Sequence, residues 1–179
     1  LRFLLDPTQF SRDADKAMFR PLLLTSFAIN YAWSGLETWS WHIVNIALHL
    51  ACTLVLWHIL RDLGRSGWQA LVGALLFGLH PLATEPVNYI SSRSESLAAL
   101  FVLGAFWFHV RAHATQGRQD RLWRTASVVL FALGVLTKSV AITTPALLLA
   151  FDGLRLGWRR ALTPATWLPY IVVAAAYLT

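Results

Sequence analysis

The sequence predicts an all-α, polytopic integral membrane helical bundle, and three observations carry that reading. The chain has 179 residues, 56% of them hydrophobic and only 13% charged, whereas a soluble domain carries roughly a quarter charged residues. Apolar runs recur at 42–60, 68–79, 97–110, 122–137, 140–154 and 167–179, several of them shorter than the ~20 residues of a perpendicular span, so that flanking polar residues must be included or some are buried short helices. Basic residues fall in alternate loops between these runs, as the positive-inside rule requires.

The elements follow in order. Residues 1–32 read as an extracytoplasmic loop with short interfacial helices. There Phe10, Met18, Phe19, Leu22, Leu23 and Phe27 alternate irregularly with Asp13, Asp15, Lys16 and Arg20, a pattern suited to lying on a membrane surface. Trp33, Trp39 and Trp41 follow as an interfacial aromatic belt. Residues 33–179 then supply about six transmembrane helices, the last truncated. If each run spans, Arg61 and Arg65, then Arg111, Arg118, Arg121 and Arg124, then Arg155, Arg159 and Arg160 lie on one side, which is nine of the fifteen Lys and Arg residues. Arg93 and Lys138 remain in the opposite short loops. If 68–79 did not span, that asymmetry would largely vanish, so the run is taken as a short spanning helix. Repeats and linkers are not evident, and 1–179 reads as a single membrane domain. It is expected to be a fragment, since it starts at Leu1 and stops within an apolar run.

Composition also narrows the function. The net charge of +6 is scattered through short loops instead of lining one polar face, so nucleic acid is not expected as a partner. The single Cys52 excludes an intramolecular disulfide framework. A glycine-rich phosphate cradle, a nucleophile elbow and paired zinc cysteines are not found. Neither a metal nor a cofactor is expected.

Chemistry concentrates in the loop at 80–95, where His80, Glu85, Arg93 and Glu95 sit at a membrane boundary. Charged groups there cost free energy unless solvated, paired or bound to a ligand. Arg93 can fork onto the phosphate of a lipid-linked substrate, or pair with Glu85 or Glu95. Ser92 and Glu95 fit a capping box that opens the next helix, setting Arg93 in a first turn that favours an anion. Glu85 precedes Pro86, which predicts an extended conformation, and His80 precedes Pro81, which ends its helix. Glu85 and His80 can act as general base or acid, or belong to a solvated loop with Glu85 paired to Arg93. Lys138 can bind phosphate or anchor by snorkelling. His42, Asn45, His49 and Thr53 form one stripe of their helix, read chiefly as interhelical hydrogen bonding. A metal site there is disfavoured, because the two histidines are seven residues apart and His58 faces away.

Six segments then become recognisable together: FRPL at 19–22, SFAINY at 26–31, WHIVNIALH at 41–49, HPLATEPV at 80–87, SRSESLAALF at 92–101 and LTKSVAITTP at 136–145. In this order they resemble the membrane domain of the transmembrane and tetratricopeptide-repeat O-mannosyltransferase family and its bacterial relatives, over roughly residues 19–152. The resemblance implies a GT-C glycosyltransferase that takes a sugar, such as mannose or another hexose, from a polyprenyl-phosphate donor. It gives that sugar to a protein or glycan hydroxyl on the extracytoplasmic face, and membrane lipid is a further partner. It also implies lipid-phosphate contacts from Arg93 and Arg20, beside which Lys138 stands as a phosphate candidate by its position alone, with His80 and Glu85 matching the family's His-Pro and Thr-Glu positions. The family's acidic catalytic pair would fall before Leu1; Asp6, Asp13 and Asp15 come too late to be equated with it. Ser139 stands where the family often has Glu after Lys. A bacterial plasma membrane fits the short loops and arginine-rich inner side, with the endoplasmic reticulum as alternative. Two rival functions stand beside the transferase: a non-catalytic membrane anchor for a tetratricopeptide-repeat partner-binding domain, and a transporter using the His42-Asn45-His49 stripe.

Overall fold

A computed structural model of the chain describes residues 20–178. The acidic candidates Asp6, Asp13 and Asp15 lie outside the described residues. Within them the chain is all-α: α1 Pro21–Ser34, α2 Thr38–Asp62, α3 Gly67–Gly78, α4 Thr84–Asn88, α5 Arg93–Ala114, α6 Arg118–Val135, α7 Thr144–Leu156, α8 Trp158–Ala161 and α9 Pro164–Leu178. Short 3-10 turns at Pro81–Ala83, Ile90–Ser92 and Ser139–Thr143 lead into α4, α5 and α7.

Local chemistry sets these boundaries. Pro21 occupies the first turn of α1, where its missing N–H costs nothing. Beyond α2, Gly64 turns the chain with φ +83, a region that penalises any side chain with a Cβ. Ser66 and Gln69 cap α3 reciprocally: the Ser66 hydroxyl accepts from the Gln69 N–H at 3.3 Å and the Gln69 side chain accepts from the Ser66 N–H at 3.2 Å.

Contacts fix the direction of each segment. Asn45 and Arg93 meet near the start of α2 and α5, while Asp62 and Arg111 meet near their ends, so these helices run parallel. Gly78 sits against Thr53 and Gly73 against Leu60, which makes α3 antiparallel to α2. Ser127 donates to the Ala105 carbonyl and Gly134 lies against Phe101, so α6 runs back along α5. His109 meets Asp152, aligning α7 with α5. Trp167 of α9 packs near His109, whereas Tyr177 lies with Val135 and Leu136, which returns α9 toward the opposite end. Six segments thus alternate in direction. The basic stretches 61–65, 111–124 and 155–160 gather at one end and the segments 80–95 and 137–139 at the other.

Among the described residues, three segments are long and apolar enough to cross a membrane: Thr38–Asp62, Ile90–Ala114 and Ser139–Leu156. The protein is an integral membrane protein. The expected short span at 68–79 is helical, but α3 has 12 residues, about 18 Å at 1.5 Å per residue. It reaches spanning length only with Pro81–Asn88, from which it is bent by 53°. Among the other segments of the expected six, α6 carries Arg118, Asp120, Arg121 and Arg124 in its first turns. The apolar part of α9 is only Thr166–Leu178. At 14 residues, α1 is too short to cross, and Ile29, Tyr31 and Trp33 leave it exposed.

The core lies between α5, α6, α7 and α9, where Ala105, Phe131, Val135, Ala141, Leu148, Trp167 and Tyr170 are buried. Small residues permit the closest approaches: a Cβ on Gly104 would stand 2.8 Å from Leu130.

Candidate functional site

At the 80–95 end of the bundle, Arg93 is fully buried. Its Nε donates to Asn45 Oδ1 at 3.0 Å and its Nη1 to the Ser26 carbonyl at 3.3 Å. Nη2 donates twice, to Asn30 Oδ1 at 2.7 Å and the Trp41 carbonyl at 3.3 Å. The guanidinium carbon lies 4.9 Å from the Phe27 ring centroid and 5.2 Å from that of Trp41. Thus α1 and α2 converge on one side chain of α5, and two of the six recognisable segments supply its cage.

The surroundings of Arg93 are neutral. Four of its five N–H donors are met by amide or carbonyl oxygens. Among the described residues it forms no ion pair. The expected pairing with Glu85 or Glu95 is therefore not found. Asn30 and Asn45 are each held in one orientation: Asn30 Nδ2 donates to Ser40 Oγ at 3.0 Å, and Asn45 Nδ2 to the Tyr89 carbonyl at 3.2 Å. Each presents its oxygen to Arg93.

Glu95 has a different partner. Ser92 does occupy the N-cap position of α5, but its side chain makes no capping bond. The 3-10 turn at Ile90–Ser92 runs directly into α5, and Ser92 has ψ 3 where a capping residue would be extended. The predicted capping box is corrected accordingly: Glu95 accepts from Lys138 Nζ across to the segment before α7. Lys138 is thereby tied to α5, with its side chain 22% and that of Glu95 50% exposed.

Glu85 is also corrected. It lies inside α4 instead of in an extended stretch, because Pro86 falls in the first turn, where helical N–H groups have no partner to lose. Glu85 is exposed. His80, also exposed, ends α3 as expected, and its Nδ1 accepts from the Leu82 N–H at 3.2 Å, which leaves the ring proton of a neutral His80 on Nε2. Arg20 stands half-buried immediately before α1.

A cavity of about 400 Å³ opens beside these groups. Its wall includes His49, Cys52, Phe77, His80, Leu82, Pro86, Glu95 and Ser96. His49 Nε2 lies 2.9 Å from the Gly78 carbonyl and its ring stacks on Phe77 at 5.5 Å. The stripe on α2 thus joins helices, with Asn45 and His49 reaching across and Thr53 bonding back to the His49 carbonyl at 3.0 Å. Ser96 Oγ is buried without a hydrogen-bond partner, an unmet group in the cavity wall. The structure therefore brings His80 and Glu95 to one cavity, while neither Glu85 nor the buried Arg93 belongs to its lining.

Reading the sequence alone overlooked Asn30, Phe27 and Trp41 as companions of Arg93. Their signal was nevertheless present, since a buried guanidinium requires acceptors and two recognisable segments carried asparagines. At the opposite end a second polar cluster, His109, His113 and Asp152, was overlooked as well.

Residues 20–179 match the family described as dolichyl-phosphate-mannose-protein mannosyltransferase. The Xenopus laevis protein O-mannosyl-transferase tmtc2 is 31% identical over 147 residues, covering 81% of this chain and 18% of its own length. The Drosophila melanogaster Tmtc2 protein of that name is 31% identical over 152 residues, covering 83% of this chain and 16% of its own. The Homo sapiens TMTC3 protein is 27% identical over 130 residues, covering 73% and 14%. The chain thus spans less than a fifth of the length of these relatives. No solved structure matches it. With an all-α membrane architecture, a polar site at one end and a match over nearly its whole length, the chain belongs to the dolichyl-phosphate-mannose-protein mannosyltransferase family, of GT-C type.

Proposed function

We propose that this chain is membrane machinery of a transferase that moves mannose, or a related hexose, from a polyprenyl-phosphate donor to a protein hydroxyl at the extracytoplasmic face. The family description and the names of the relatives support the reaction class. The observation that carries the reading is Arg93, a permanently charged guanidinium buried among neutral acceptors at the head of the helix whose Glu95 and Ser96 line an open cavity.

A buried cation without a counter-ion keeps its field. An anion held within about 10 Å gains roughly 1.5 kcal/mol at an effective dielectric near 20, about tenfold in affinity. Arg93 thus attracts the donor phosphate without touching it. Direct contact falls to Lys138, which is partly exposed and can exchange Glu95 for phosphate, and to Arg20 at the head of α1. The cavity, with Phe77, Leu82 and Pro86 in its wall, suits the first isoprenoid units. On the acceptor side, His80 Nε2–H can donate to a hydroxyl oxygen, and exposed Glu85 is a base candidate.

The test is transfer of labelled mannose from polyprenyl phosphate by the full-length protein in membranes, wild type against Lys138→Ala at matched expression. The donor KM should rise about tenfold, with kcat nearly unchanged. Failure of the folded wild-type protein to transfer sugar from any polyprenyl-phosphate donor would overturn the reading.

A further inference from the structure

We propose that His109, His113 and Asp152 form a binding site for a divalent transition-metal ion, zinc in the first instance, at the end of the bundle remote from Arg93. His109 and His113 stand one turn apart on α5, and Asp152 faces them from α7. The three donor atoms make a small triangle: His109 Nε2 to Asp152 Oδ1 2.9 Å, His113 Nε2 to the same oxygen 2.9 Å, and Nε2 to Nε2 3.2 Å. A tetrahedral ion with bonds of ~2.0–2.1 Å separates its ligands by about 3.4 Å, so modest outward movements accommodate it above the plane of the triangle.

Protons alone fit the triangle poorly. If both Nε2 atoms carry hydrogen, each serves the carboxylate, but two N–H groups then oppose one another at 3.2 Å. If only one does, the lone pair of the other ring faces the carboxylate oxygen at 2.9 Å. A metal ion receives all three lone pairs and leaves no mismatched edge. Two imidazoles with one carboxylate favour zinc over magnesium or calcium, which prefer oxygen.

Position strengthens the assignment. His109 and Asp152 are buried in segments of membrane-spanning character, where ionisable residues cluster for a function. The C-terminal ends of α5 and α7 both come close to the site, and helix C-termini favour a cation. Of the arginines near this end, Arg111 pairs with Asp62 at 2.9 Å and Arg124 with Asp120 at 2.7 Å, and Arg155 lies over the Phe151 ring at 5.7 Å. His109 also borders a cavity of about 460 Å³ between α6 and α9, which gives a route for the ion and room for water as fourth ligand. Bound there, the ion would clip α5 to α7 and make the stability of this end depend on metal supply. The assignment stands independently of the sugar-transfer reading.

The experiment uses the full-length protein in lipid nanodiscs, stripped with chelator and titrated with zinc, with cobalt as a spectroscopic probe. Wild type should bind one more equivalent of zinc than His113→Gln, or bind it at least a hundredfold more tightly, and chelator should lower Tm in wild type alone. In cobalt-loaded His113→Cys a thiolate-to-metal band should appear in the near ultraviolet, a signal that loss of folding cannot mimic. Equal zinc stoichiometry and affinity in wild type and His113→Gln, or folded His113→Cys without the band, would overturn the proposal. Those outcomes leave transferase activity untouched, so the two readings fail separately.

Discussion

Asn45 and Arg93 share a 3.0 Å hydrogen bond between α2 and α5, and the same asparagine holds the Tyr89 carbonyl with its amide nitrogen at 3.2 Å. One neutral side chain therefore joins a spanning helix, the approach to α5 and a buried charge. Asn45→Ala removes the acceptor for Nε and leaves a charged donor unsatisfied in a fully buried place, which costs about 2–3 kcal/mol. Thermal unfolding in detergent should show a clearly lowered Tm. An unchanged Tm would mean that water replaces the amide and that the cage is open.

Arg93→Lys should fail to substitute. The lysine ammonium offers three donors from one point, whereas the acceptors surround a planar fork between two aromatic rings. Loss of stability should come within about 1 kcal/mol of that for Arg93→Ala. Full stability of Arg93→Lys, read from the same unfolding curves, would show that charge alone matters there.

The legibility of these features differs residue by residue. Helix positions and their alternating direction were readable because apolar runs and basic loops are one-dimensional signals, whereas spanning length, met among the described residues by three segments, was not. Arg93 stood out in the sequence by its place at a membrane boundary, but its setting was not readable: the acceptors come from Ser26, Asn30, Trp41 and Asn45, about 50–70 positions away in the chain. The Ser92 to Glu95 spacing looked like a cap, yet a tertiary partner, Lys138, won the carboxylate. A local motif is weak wherever a long-range charge competes for its side chain. For His109 and His113 the i, i+4 spacing was visible, but Asp152 completes the cluster from 39 residues beyond His113.

Close packing of α2 on α3 gives a compensation experiment. A Cβ at Gly78 would stand 2.9 Å from Thr53 Oγ1 and 3.0 Å from its Cγ2, though 3.6 Å from its Cβ. Gly78→Ala should therefore destabilise by about 1–3 kcal/mol through overpacking, also straining the nearby His49 contact. Thr53→Ala removes the two clashing atoms and keeps the tolerated one. The double variant should recover most of the lost Tm, giving a favourable coupling in a double-mutant cycle. Simple additivity would show that the helices separate freely.

Glu95→Gln separates the two roles open to the Lys138 partner. Both side chains are partly exposed, so breaking the pair costs less than about 1 kcal/mol of stability. If Glu95 competes with the donor phosphate for Lys138, its neutralisation removes that competitor and frees the lysine. The donor KM should then fall about threefold to tenfold at low ionic strength, with a smaller difference at high salt because of screening. The double variant Glu95→Gln with Lys138→Ala should return to the KM of Lys138→Ala alone, since the benefit acts through the lysine. If instead Glu95 holds Lys138 in position, Glu95→Gln raises KM and salt does not restore it. Initial rates across donor concentration at two ionic strengths distinguish the cases, and only a fall in KM agrees with a lysine that exchanges its carboxylate for phosphate.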